Sequence, residues 1–359
     1  MQNNEFDIKN SETVTVKCHS CGANMVFDPA SQKLKCPHCE THSDFEKSSR
    51  VKELDIRKHL YNAKSWDDES VAYRCDNCGA TVVLAPNQTA TVCPYCSTSH
   101  VVKLNENKCL KPGALYPFTK TEGEAFSFAK EWAKKKIFAP RRFKKELNAD
   151  KFKGVYQPCY TFDSNTYSTY NGRVGVRHTR TVGSGKNRRT ETYIVWRYIS
   201  GDYSHFFDDV TVNGDTQEFQ KTLNKLMPFD YGTIKEYDTE YLTGYMAKRS
   251  DRSLKDCWID AKSMIDSELR RLILSRHRHD VVDYLNVSTT HENVTFKHVL
   301  MPVYVSNFNY KNKRYNVFVN GNTGKVTGKT PVSPWRVLIA VVLGLAVVAL
   351  LGYLFYSNY

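Results

Sequence analysis

Apolar and polar positions alternate with different periods along the chain, and the changes of period mark its elements. From Thr121 the segment TEGEAFSFAKEWAKKKIFA repeats at helical spacing behind a capping box, Thr121 and Glu124, until Pro140 interrupts it. Between Val155 and Val212 the pattern becomes Thr/Tyr/Val-rich runs separated by turn signals, which predicts antiparallel strands with a basic, Gly-rich loop at 183–189. A helix is expected at about 215–227, ending before Pro228. Over 250–277 the residues Leu254, Trp258, Ala261, Ile265, Leu269 and Leu272 form one stripe, the mark of an amphipathic helix. HVLMPVYVSNFNYKNKRYNVFVNGNTGKVTGKTP then alternates as strands around a turn. VYQPCYTF (155–162) and LMPVYVSNF (300–308) echo each other weakly, and an internal proline in each predicts edge or bulged strands. Nearer the N-terminus, Val51, Leu54, Leu60 and Tyr61 recur at roughly helical spacing, predicting a short helix within 51–66 that Ile56 and Trp66 fit less well. Helices and antiparallel strands in this arrangement give an α+β body.

The last stretch breaks every one of these periods. Val337 to Tyr356 reads VLIAVVLGLAVVALLGYLFY without a charge, and twenty helical residues extend about 30 Å, the thickness of a bilayer's hydrocarbon core. Trp335 precedes it and Tyr353, Phe355, Tyr356 and Tyr359 close it, as expected at the two headgroup levels. A buried core helix of that length would carry a polar stripe. Lys325, Lys329 and Arg336 lie before the span and no basic residue follows, so the positive-inside bias predicts a single-pass anchor with the bulk in the cytoplasm. The opening MQNNEFDIKNSETVTVKC has no apolar run of signal-peptide length, in keeping with that orientation.

Cysteine usage then changes the reading of the first hundred residues. Eight of the eleven cysteines form four CxxC pairs in two copies of C-x2-C-G-A-x12-C-P-x-C, set 57 residues apart. The copies are Cys18, Cys21, Cys36 and Cys39, then Cys75, Cys78, Cys93 and Cys96. A CxxC turn aims two thiolates at a common point, and the following glycine (Gly22, Gly79) permits the positive φ of such a knuckle. The intervening segments, NMVFDPASQKLK and TVVLAPNQTATV, read as short strands around a turn, so each copy is expected to be a four-cysteine zinc ribbon. Four sulfurs close the tetrahedron and leave no position for water, which makes both zincs structural rather than catalytic. His19, His38 and His42 lie near the first frame and are loop residues on this count.

Charge is uneven. Residues 1–110 carry 13 Lys+Arg against 14 Asp+Glu, residues 111–190 carry 18 against 6, and residues 191–336 carry 20 against 18. The excess concentrates in Lys130, Lys134, Lys135, Lys136, Arg141, Arg142, Lys144 and Lys145, interleaved with Trp132, Ile137, Phe138 and Phe143. Such a segment binds an anion or faces water, and the two anions in question are nucleic acid and the anionic inner membrane surface. If the ribbons read nucleic acid, they would carry the basic excess. They do not, so lipid is the expected contact and a membrane-tethered nucleic-acid binder is the alternative. No HExxH, GxSxG or Rossmann fingerprint occurs, and Gly328-Lys329-Thr330 lacks the first glycine of a P-loop because Thr323 stands there. A Cys159–His178 nucleophile pair has no further support. A non-catalytic protein is expected.

With those residues in hand the chain resembles the bacterial membrane-anchored double zinc-ribbon proteins encoded beside phage-shock (PspA-type) and flotillin-like SPFH proteins. The resemblance rests on the paired ribbons, the W-x4-G-x4-FFDDV segment from Trp196 to Val210, MPFDYGTIKEYDTEYLTGYMAKRSD (227–251), VFVNGNTGKVTGKTPVS (317–333) and the terminal span. It implies an adaptor at the cytoplasmic membrane face that helps to recruit SPFH and PspA-type proteins in envelope stress, and it supplies no catalytic residues. The expected organisation is zinc ribbon 1 over 1–46, a linker helix over 47–71, zinc ribbon 2 over 72–104, a basic α+β domain over 105–333 and a transmembrane helix over 335–356.

Overall fold

The computed structural model describes residues 16–45, 51–60, 71–75, 81–84, 101–104, 110–146, 152–185, 188–215, 219–248, 250, 252–310 and 313–357. The chain is an α+β protein whose described strands form two antiparallel-dominated sheets. The first is the small meander β1 (Val26–Asp28), β2 (Lys33–Lys35) and β3 (His42–Ser43). The linker expected to be helical starts instead as strand β4 (Leu54–Asp55), which pairs with Thr295 and Phe296. Helix α1 (Ile56–His59) follows, capped by the Asp55 side chain on the Arg57 amide. Ile56, which the helical pattern left aside, is the residue buried there, because the strand geometry of Leu54 and Asp55 resets the phase.

The large sheet takes in β5 (Val71–Cys75), β6 (Thr81–Leu84) and β7 (Val101–Leu104), the strands of the second cysteine frame, which join the body where Val83 pairs with Ala247. Short β8 (Ala114–Leu115) then leads into α2 (Glu122–Lys134) and α3 (Arg141–Glu146). The capping box forms as expected: the Glu124 amide donates to Thr121 Oγ1 at 3.3 Å and the Thr121 amide to Glu124 Oε2 at 2.8 Å. Ala125, Ala129 and Ala133 give α2 a small-residue stripe that lets it lie close on the sheet, whose Val317, Val319 and Tyr304 share its core.

Next come β9 (Lys153–Val182) and β10 (Arg189–Asn213), a long hairpin, then α4 (Gln220–Leu226), β11 (Lys235–Glu236) and β12 (Met246–Ala247). Helix α5 (Leu254–Ser275) opens on Ser253, whose hydroxyl accepts the Asp256 amide at 3.1 Å. Its buried stripe is Leu254, Cys257, Ala261, Ile265, Leu269 and Ile273, with Trp258 and Leu272 at the half-buried margins. Strand β13 (Val281–Tyr310), β14 (Lys313–Asn320) and β15 (Val326–Gly328) complete the sheet, and α6 (Pro334–Ser357) leaves the body.

The proline-bearing strands are central, which corrects the edge or bulge expectation. β9 lies between β10 and β13, and β13 between β9 and β14. A strand residue points its N and its C=O to the same side. Pro158 O accepts the Gly214 amide at 3.0 Å and Pro302 O the Gly321 amide at 2.9 Å. Each proline therefore turns its missing N–H toward a neighbour just past the last ladder pair, Asn213 with Cys159 and Asn320 with Val303. The glycine carbonyl it leaves is taken by other donors, Ser250 Oγ at 2.7 Å on Gly214 O and the Thr119 and Lys120 amides at 2.9 Å on Gly321 O.

These two sites are equivalent in a repeated plan. Val210–Asp215 (VTVNGD) and Val317–Asn322 (VFVNGN) each end a hairpin on Asn-Gly. β8 runs parallel to β13 at Val299–Leu300, while β12 runs parallel to β9 at Val155–Tyr156. The units β8-α2-β9-β10 and β12-α5-β13-β14 thus exchange their short first strands. A Cβ on Gly321 would stand 2.3 Å from the Phe118 ring, so that turn requires glycine.

Candidate metal centre

Local backbone geometry builds the first site. The Gly22 amide donates to Cys18 O at 2.8 Å and the Cys18 amide to Ala23 O at 2.8 Å, closing a knuckle with Gly22 at φ 72°. The second knuckle repeats the pattern: the Glu40 amide donates to Cys36 O at 3.0 Å and the Cys36 amide to Thr41 O at 2.9 Å, with Glu40 at φ 60°. Between them Asp28 folds the hairpin turn, accepting from the Ser31 hydroxyl at 2.6 Å and the Ser31 amide at 3.0 Å.

The knuckles bring Cys18, Cys21, Cys36 and Cys39 together with all four Sγ atoms within 4.8 Å of one another. Cys18 and Cys39 are 3.4 Å apart, Cys21 and Cys36 3.5 Å. A tetrahedron with Zn–S bonds of about 2.3 Å has edges of about 3.8 Å. The donor set fits zinc in number, type and spacing, and His19, His38 and His42 are not part of it. Electrostatics agree with a cation at the centre. Hydrogen bonds from the Thr41 hydroxyl and amide pull the Cys39 thiol down to about 6. Although the Ala23 amide acts to lower it, Cys21 is pushed up to about 12 by Cys39 and Cys36. Once one thiolate forms, its neighbours resist ionising, and a divalent metal removes that conflict.

The ribbon is fastened to the body on one side. Cys18 and Cys36 are buried while Cys21 and Cys39 are exposed. Phe27 packs edge-on to Tyr241 at 5.1 Å, its amide donates to Thr243 O at 3.1 Å, and Gln32 Nε2 donates to Phe118 O at 2.8 Å. Met25, Phe27 and Leu34 belong to the same core as Leu115, Phe118 and Tyr304. Of the second frame, Cys75 ends β5, and Cys78, Cys93 and Cys96 lie outside the described residues.

The basic segment falls at the root of α6. Lys130 and Lys134 stand on α2, Lys135 caps it, and Arg141, Arg142, Lys144 and Lys145 belong to α3. Lys130, Lys134, Lys135, Arg141 and Arg142 are exposed. Lys136 is half-buried, with its Nζ 4.8 Å above the Trp132 ring. The Ser333 amide donates to Phe138 O at 2.8 Å and Arg336 Nη1 to Ile137 O at 2.8 Å, which ties this segment to the first turn of α6. From Pro334 to Phe355 that helix is long and apolar enough to cross a membrane, and none of its residues is buried in the protein.

Two polar clusters escaped the sequence reading. Asp163, Asp208 and Asp209 gather their oxygens within 4.8 Å, but Lys297 supplies the cation. Its Nζ lies 2.9 Å from Asp209, 3.1 Å from Glu53 and 3.6 Å from Asp163. Burial works against that charge, yet the Asp209 hydrogen bond and the surrounding carboxylates keep Lys297 well above the usual lysine range. Burial also raises Asp163 to about 6. Beneath the Asn213 turn, Lys248 pairs with Asp215 in full burial. Glu53 and Lys297 are far apart in sequence, as are Asp215 and Lys248, so no local pattern signals either cluster.

No family model and no solved structure matches the chain. It is similar to the uncharacterized protein YdjG of Bacillus subtilis (strain 168), with 29% identity over 330 residues that cover 90% of this chain and 92% of that protein.

Proposed function

We propose that the protein is a non-catalytic adaptor held at the cytoplasmic face of the membrane by α6, with zinc maintaining two small ribbons as recognition platforms. The observation that carries this reading is the continuous path from the four-sulfur centre, through the Phe27–Tyr241 contact and the shared core, to the α6 root at Ile137, Phe138, Ser333 and Arg336. A ribbon fixed in that way is presented at a set height above the bilayer. Its exposed Cys21–Cys39 side faces outward from the body. Lys325, Lys329 and Arg336 before the span support the cytoplasmic orientation. Partners of the SPFH and PspA type follow from the sequence resemblance, and a second zinc follows from the repeated frame.

A membrane-tethered nucleic-acid binder is the rival reading, and one feature favours it. On the sheet face opposite α5, the Arg173 guanidinium lies 5.0 Å from the Trp196 ring and 5.8 Å from that of Tyr198, a pairing of cation and aromatic that suits unstacked bases. Affinity capture of the full chain from detergent-solubilised membranes, compared with Cys36→Ser/Cys39→Ser, tests the adaptor. Partners of the membrane-scaffold class should be captured by the intact chain and lost from the variant. Preferential recovery of RNA or DNA at physiological salt, falling steeply as salt rises, would instead establish the rival.

A further inference from the structure

The turn that follows α2 has an unusual composition for its position. The Ala139 amide donates to Lys136 O at 3.1 Å, so residues 136–139 form a tight turn with Ile137 and Phe138 at its two corners. Turn corners favour Gly, Pro, Asn, Asp and Ser, whose backbone preferences and local side-chain hydrogen bonds suit the bend. Here Ile137 is 73% exposed and Phe138 44% exposed. Both carbonyls of the turn's tip accept hydrogen bonds at the start of α6, from Arg336 Nη1 in its first turn and from the amide of Ser333 just before it, and Val332 and Trp335 beside them are exposed as well. Around this apolar tip stand exposed Lys134, Lys135, Arg141 and Arg142.

From this placement we infer that the Lys136–Ala139 turn is a second membrane contact: Ile137 and Phe138 insert into the interfacial region beside α6, while the surrounding Lys and Arg side chains bind the phosphates of anionic phospholipid. The inference rests on the reading of α6 as a membrane span and adds to it a second point of attachment. One helix alone leaves the body free to rotate about its own axis. Two points fix which face of the body meets the headgroups. Apolar side chains inserted at the headgroup boundary and basic ones just above it is the arrangement by which interfacial segments hold to anionic bilayers. The occupant is the bilayer because the tip is continuous with the span, and its basic rim matches anionic headgroups in sign.

The test uses the full chain in nanodiscs of phosphatidylcholine with and without phosphatidylglycerol. A benzophenone amino acid replaces Phe138, Ile259 on the exposed side of α5, or Val347 within α6, one at a time, and lipid adducts are counted by mass spectrometry after illumination. Expected is strong lipid labelling at 138 and 347 and background labelling at 259. Labelling at 138 should fall several-fold without phosphatidylglycerol or in the Lys135→Glu/Arg141→Glu variant, while labelling at 347 stays constant. Labelling at 347 with only background at 138, or a cross-link from 138 to a second copy of the chain, overturns the turn contact alone. Equal labelling at 138 with and without the anionic lipid overturns the role of the basic rim. Failure at 347 overturns the membrane span and this contact with it.

Discussion

Residues 16–45 form an ordered module from strands of three, three and two residues, whereas β9 and β13 beneath them run for thirty residues each. The long strands support one another by continuous pairing, and their core is made of large side chains such as Tyr156, Tyr304 and Phe162. The ribbon contributes Met25, Phe27 and Leu34 to a core that the body completes, and its far side is held by four sulfurs. Size explains the contrast, since a module of that length cannot bury enough apolar surface by itself and needs a metal or a neighbour. This ribbon has the neighbour and a four-sulfur donor set that fits the metal. Its order should therefore depend on zinc and on docking, and the order of the body on neither.

The largest effect expected is from metal removal. A strong chelator should abolish hydrogen-exchange protection in residues 24–43 and leave that of α5 and of β9 in place; protection lost uniformly across the chain would erase the distinction. Packing mutations come next and should separate the regions in opposite ways. Ile265→Ala, on the fully buried stripe of α5, should lower global stability by about 2–5 kcal/mol without changing zinc content. Phe27→Ala should cost about 3–5 kcal/mol, expressed as faster exchange in the ribbon and quicker loss of zinc to a competing chelator, because its ring joins the ribbon to Tyr241. A smaller effect concerns the two knuckles. Gly22→Ala forces a side chain to φ 72° and should weaken zinc retention by about 1–2 kcal/mol. Glu40→Gly relieves the same strain at φ 60° and should have the opposite sign, reduced by about 0.4–1 kcal/mol of unfolded-chain entropy.

The smallest prediction belongs to the body. Burial raises Asp163 from 3.8 to about 6, so the folded chain holds a proton there that the unfolded chain releases. Stability from this group accordingly rises as pH falls through about 6 and levels off near the unfolded value. Thermal melts should show the wild type gaining on Asp163→Asn between about pH 7 and about pH 5. Parallel pH profiles would place the Asp163 proton outside the folding balance.

Legibility in the sequence followed the range of the interaction. The Cys18–Cys39 frame, the Gly22 knuckle, the Thr121 capping box and the α5 stripe are local, and each formed where its spacing placed it. Glu40 did not announce itself because nothing in its chemistry demands a left-handed backbone. The prolines at 158 and 302 suggest edge or bulged strands because local pattern cannot show that a neighbouring strand ends opposite them. The exchange of β8 and β12 between the two repeats, and the assembly of Lys297 with Glu53, depend on pairings across most of the chain. The nearly identical VTVNGD and VFVNGN turns were the available signal of that symmetry.

Zinc stoichiometry decides whether the two cysteine frames hold metal. Full-length protein purified anaerobically and assayed by mass spectrometry for metals should hold two zincs per chain, and Cys36→Ser/Cys39→Ser should hold one while α5 keeps its exchange protection. Protein that is folded, reduced and free of zinc would contradict the zinc reading.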